Sequence, residues 1–183
     1  MRSESKSKRW QLAVIALLFG ASLIRPDFGL AADNVTLKGT LVSAACKIKA
    51  GDEALVVDLG EVGSADLYYH GRTAGKTLLI HLEDCDTGIS DSVTTTFSGN
   101  ESARLPGFLA LDGTLDHGVA IGLESLVGIP LPLNVVGDRQ ALSNGANVIA
   151  LKAFVKAEPQ AIANRSIKPG QYTAVSTFTL GYP

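Results

Sequence analysis

The chain has 183 residues, 19% of them charged and 46% apolar, with a formal net charge of −2 and only two cysteines. Discounting residues 1–31, read below as a leader, removes five basic and two acidic side chains. What remains is a 152-residue segment with 11 Lys or Arg and 16 Asp or Glu, a net charge of −5. That is one domain's worth of chain, with enough length for a core, and its acidity argues against nucleic-acid binding.

In chain order, Arg2, Lys6, Lys8 and Arg9 make a basic start, followed by an apolar run at residues 11–24 and small residues at Gly29, Ala31 and Ala32. The run has the length of a signal-peptide core and is short for a membrane span. Residues 1–31 are therefore expected to be a signal peptide cleaved after Ala31; an uncleaved membrane anchor is the alternative reading. Residues 34–41 come next, with Val35, Leu37, Gly39 and Leu41 on one parity. This reads as a strand that runs into Cys46 with no turn residue between, so it cannot easily fold back beside the strand carrying that cysteine. Gly39 on the apolar parity suggests close approach by another backbone. Further strands are expected at residues 54–59, 77–85, 92–98, 108–111, 118–123, 128–133, 147–157 and 171–182. Gly, Pro, Asn and Asp mark the turns between them, and residues 99–107 are the best loop candidate. Helix signals are almost absent after the leader. Many short strands with frequent turns predict an all-β sandwich.

Cys46 and Cys85 both fall in the segment expected to be exported, with 38 residues between them. Two cysteines in an oxidising compartment most simply form one disulfide, and zinc would need four ligands at short paired spacings. His70, His81 and His117 invite a metal or catalytic reading. His81 and Glu83 share a strand face, but the bland reading, a solvated face opposite Leu78, Ile80 and Leu82, is stronger. No HExxH, GxSxG, paired CxxC or phosphate-loop pattern is present. No cofactor is expected.

The last strand, GQYTAVSTFTLGYP, alternates Ala174, Ser176, Phe178, Leu180 and Tyr182 with nothing after it to cover its edge. Together with the surplus strand at the other end, this resembles the subunits of chaperone–usher (type 1 and P) pili, most closely their minor subunits. The penultimate Tyr182, with Gly170 fourteen residues from the end, is similar to their C-terminal motif. ADNVTLKGTLVSAAC resembles their N-terminal extension leading to the first cysteine, and LEDC the end of the strand bearing the second. TTTFSGNESARLPGFLAL followed by GVAIGL is similar to the middle of minor P-pilus-type subunits. The resemblance spans residues 32–183.

It implies an incomplete immunoglobulin-like β-sandwich over residues 46–183 that lacks its last strand, preceded by a donor-strand extension at residues 32–45. Val35, Leu37, Gly39 and Leu41 would enter a neighbouring subunit's groove. Gly170, Phe178, Leu180, Tyr182 and Pro183 would form this subunit's own groove edge and its chaperone contact, with the Pro183 carboxylate as anchor. Cys46 and Cys85 would link the first two strands of the sandwich. The implied partners are a periplasmic chaperone, an outer-membrane usher and neighbouring subunits, and the implied place is a fimbria on the bacterial surface. The implied role is structural rather than enzymatic. A self-contained secreted β-sandwich that binds carbohydrate is the alternative.

Overall fold

A computed structural model describes residues 44–113 and 116–183. The leader and Val35, Leu37, Gly39 and Leu41 lie outside the described residues. Among the described residues, seven strands form two antiparallel sheets. In the first, β1 (Lys47–Ile48) pairs with β2 (Lys76–Cys85), β2 with β6 (Gly145–Ala157), and β6 with β4 (Val119–Ser125). In the second, β5 (Gln140–Ala141) pairs with β3 (Ser92–Gly99) and β3 with β7 (Ser176–Gly181).

The strands expected at residues 77–85, 92–98, 118–123 and 147–157 are thus present to within two residues. Their alternation explains why. Ile80 and Leu82 of β2, Val93 of β3 and Leu151 of β6 are almost fully buried between the sheets, where each side chain contributes about 1.5–3 kcal/mol. On β2, His81 and Glu83 point the other way, as predicted. His81 nevertheless has a partner that spacing did not suggest. Asp52 lies 2.8 Å from its Nδ1 and accepts its backbone N–H at 2.6 Å, which pins the 3-10 turn Asp52–Ala54 to β2. That N–H bond is the chief reason the Asp52 carboxyl is held below its usual range.

Five expectations differ from the structure. Residues 55–59 form no ladder, because the chain leaves the first sheet after Asp52–Ala54 and runs without a neighbouring strand. Residues 108–111 and 128–133 contribute isolated bridges, two at Leu109 and one at Pro130, rather than strands. A proline has no N–H to continue a ladder at residue 130. The last strand is shorter than expected, since residues 171–175 approach β7 without pairing. Finally, two short helices appear: α1 (Ser64–His70) and α2 (Pro159–Ala163). Each had a local signal. Gly71 ends α1 at φ 74°, and Pro159 opens α2 at its first turn. No helix among the described residues is long and apolar enough to cross a membrane.

Candidate functional site

The site follows from where β7 sits. Among the described residues it pairs with β3 on one side only, so its other edge offers unpaired backbone groups. The predicted alternation holds. Ala174, Ser176, Phe178, Leu180 and Tyr182 are half-buried, whereas Thr173, Val175, Thr177 and Thr179 are exposed. The half-buried apolar members all pack against the core, but none is fully covered. Phe97 and Phe178 show the asymmetry within one pair. They face each other across the ladder with ring centroids 6.5 Å apart. Phe97, on the central strand, is 7% exposed, while Phe178, on the edge strand, stays half-buried.

Residues 55–62, the segment that leaves the first sheet, lie opposite residues 170–176, which lead into β7. Between residues 55–62 and 170–176 is a groove of about 950 Å³. Val57, Leu59, Tyr172 and Ala174 line it, with Ile121 contributing from β4. Val57, Leu59, Tyr172 and Ala174 also pack on the core, so the groove opens directly onto the hydrophobic interior. Leu55 and Val56 on one wall and Val175 on the other are exposed apolar side chains. A groove with an apolar lining, beside an unpaired strand edge, can accept an extended peptide as an added strand. Backbone hydrogen bonds would supply affinity and alternate side chains specificity. Among the described residues, no constellation for acid–base or nucleophilic chemistry accompanies it.

The predicted site residues fall as follows. Phe178, Leu180 and Tyr182 share the side of β7 and its extension that packs on the core, and none of them lines the groove. Gly170 lines the groove and lies against His117; a Cβ at Gly170 would come within 2.7 Å of the imidazole Cε1. The Pro183 carbonyl oxygen accepts a bond from Ser90 Oγ at 3.0 Å. Cys46 and Cys85 form a disulfide, with Cα atoms 4.1 Å apart. It joins the residue before β1 to the last residue of β2, the first two strands of the sandwich. The Tyr182 hydroxyl reaches to 3.5 Å from the Cys46 carbonyl oxygen, so the end of β7 abuts this link. Burial raises the Tyr182 pKa, partly offset by that contact. Residues 55–62, Ile121 and Tyr172 were not read as groove residues. The apolar run 54–59 was visible, but its place opposite β7 depends on tertiary path.

The comparisons agree with this geometry. The family model described as fimbrial protein matches residues 35–183. The Fimbria A protein of Serratia marcescens is 30% identical over 177 residues, 97% of this chain and 99% of that protein. The fimbrial adapter PapK of Escherichia coli is 30% identical over 157 residues, 82% of this chain and 88% of that protein. Among solved structures, a chaperone–usher pilus superposes with TM-score 0.66 at 26% identity, over 87% of this chain and all of the matched chain. The chain belongs to the fimbrial protein family, as a structural subunit with an immunoglobulin-like fold and no enzymatic role.

Proposed function

We propose that this fimbrial subunit assembles by donor-strand complementation at the groove beside β7. The unpaired edge of β7, continuous at Ser176 with a groove that opens onto the core, is the observation that carries the reading. A periplasmic chaperone lends a strand to the groove after export, and an outer-membrane usher passes the subunit on. The extension of a neighbouring subunit then replaces the chaperone's strand. This chain contributes the same element in turn: residues 1–31 direct export, and residues 32–45 form the extension. Val35, Leu37, Gly39 and Leu41 of that extension face down into the next groove. Gly170, Phe178, Leu180, Tyr182 and Pro183 form the edge that chaperone and donor both meet. A self-contained carbohydrate-binding sandwich is not favoured, since it would have no use for an open apolar edge.

The test is expression of the full chain in a bacterial periplasm with and without a chaperone of the strand-lending class. Soluble protein is expected only in the chaperone's presence, and bound to it. A stable, soluble monomer without any chaperone would overturn the reading.

A further inference from the structure

We propose that Asn144 is a site of spontaneous covalent modification, where the folded chain converts its own side-chain amide to aspartate or isoaspartate with Thr87 assisting the step. Neither the groove nor an added strand is involved. Six asparagines occur in the sequence, and Asn144 alone is followed by glycine. Asn144 and Gly145 are exposed and lead from β5 into β6. Gly145 sits at φ 89°, and a Cβ there would meet nothing within 4 Å, so the space around it is open. Asn147 closes this turn: its Oδ1 accepts the Ser143 N–H at 2.9 Å, and its Nδ2 donates to the Ser143 carbonyl oxygen at 2.7 Å. The Asn144 amide is held from elsewhere. Its Oδ1 accepts two bonds, from the Thr87 backbone N–H at 2.8 Å and from the Thr87 hydroxyl at 2.9 Å. A backbone N–H can only donate, so the amide oxygen faces Thr87 and Nδ2 faces away. Among the described residues Nδ2 makes no hydrogen bond.

Two donors on one carbonyl oxygen polarise the amide carbon and stabilise the oxyanion that forms when that carbon is attacked. The attacking atom is the Gly145 nitrogen, after it has lost its proton to hydroxide. A glycine leaves that approach uncrowded, since it has no Cβ. The bond from the nitrogen to Asn144 Cγ forms, and the bond from Cγ to Nδ2 breaks. Ammonia leaves with a proton taken from water, which regenerates hydroxide, and a cyclic imide remains. Water then adds to one of the two ring carbonyls and reopens the ring, to aspartate at one and to isoaspartate at the other. Water is the only co-reactant, and nothing is oxidised or reduced. The change falls at a sensitive place. Gly145 pairs with Cys85, the last residue of β2 and one half of the disulfide. Isoaspartate puts an extra methylene into the backbone beside that pair, and either product adds a negative charge.

The experiment ages the full chain, as purified alone or in complex with a chaperone, at neutral and at mildly alkaline pH. Trypsin then releases residues 140–152, and fragmentation in the mass spectrometer separates Asn144 from Asn147. Conversion is expected at Asn144 alone, to both products, and faster at the higher pH because the attacking nitrogen must lose its proton. Thr87→Val keeps the backbone donor and removes the hydroxyl. It should slow conversion of the folded protein about fivefold, the effect of one hydrogen bond to a developing charge. The same variant in urea should convert at the wild-type rate, since the contact exists only in the fold. Thr87→Ser, which restores the hydroxyl, should restore the folded-state rate. Asn144 that stays intact in the folded wild-type protein while converting in urea would overturn the proposal, and that comparison needs no variant. Folded Thr87→Val converting as fast as wild type would also overturn it.

Discussion

At the scale of single residues, the best-defined polar contact lies away from the groove. Arg72 grips Glu124 with two bonds of 2.9 Å, while its guanidinium stacks 3.5 Å above the Phe154 ring. Phe154 alternates with the core residues Ala153 and Val155, so this cluster seals the outer face of β6 and β4. The Arg72 bonds hold the Glu124 carboxyl below its ordinary range, against the opposing effect of burial. Glu124→Gln keeps the shape and removes the charge. It should cost about 1–2 kcal/mol near neutral pH, toward the low end for a buried pair because Arg72 keeps some solvent. A depressed carboxylate pKa stabilises the fold above the unfolded-state value, near 4.3, and the contribution is lost as pH falls through the folded-state value. The gap between wild type and Glu124→Gln, measured by urea unfolding, should therefore close as the solution is acidified below about pH 4. A constant gap across that range would mean that the carboxylate is not the stabilising group. Nothing in the sequence announced this contact. Arg72 and Glu124 are 52 positions apart, and they meet because Arg72 bridges to Lys156 of β6 while β4, carrying Glu124, pairs with β6.

At the scale of elements, β4 and β6 also carry the sharpest packing constraint. An added Cβ at Gly122 of β4 would come within 2.5 Å of both Phe108 Cε1 and Phe154 Cζ. The two rings meet edge to face, with centroids 6.0 Å apart. Phe154 is further held by Arg72, so neither ring yields cheaply. Gly122→Ala should therefore destabilise by about 1–3 kcal/mol, although alanine loses less backbone entropy than glycine in a strand. Thermal unfolding checks this, and an unchanged or higher Tm would show that the rings relax. β2 and β6 were legible because their apolar alternation coincides with burial, whereas residues 92–98 were marked by a β-branched run and residues 118–123 by the turn residues around them. Residues 55–59 were apolar for a different reason: they wall a groove and pair with nothing. A continuous apolar run cannot distinguish a ladder from a wall. The helices escaped notice because α1 and α2 span seven and five residues, too short for a helical period to show.

At the scale of the whole molecule, the open groove sets the terms for stability. The core is shared by two sheets, yet along β7 it is only half covered, so part of the usual hydrophobic stabilisation is withheld until a strand is added. The alternation of residues 174–182 was the most legible feature of the site, since it can be read from those residues alone. The location of the disulfide was less legible than its existence. Two cysteines implied one bond, but only the fold places it against Tyr182 at the end of β7. There it ties β1 to the end of β2, beside the edge that lacks a neighbour. Closing a loop with a sequence separation of 39 should stabilise by about 4 kcal/mol, chiefly by restricting the unfolded chain. In a sandwich that folds with an incomplete core, that is a large share of the total. Cys46→Ser should therefore lower the denaturation midpoint well beyond the effect of a typical surface change and sharply reduce the amount recovered in complex with chaperone. A strand supplied to the groove should recover part of the loss, because ligation stabilises whatever folded state it binds. Urea unfolding of the oxidised and reduced wild-type complex, beside Cys46→Ser, measures this directly. Equal midpoints for all three would mean that the bond contributes nothing and that the sheets hold their register without it.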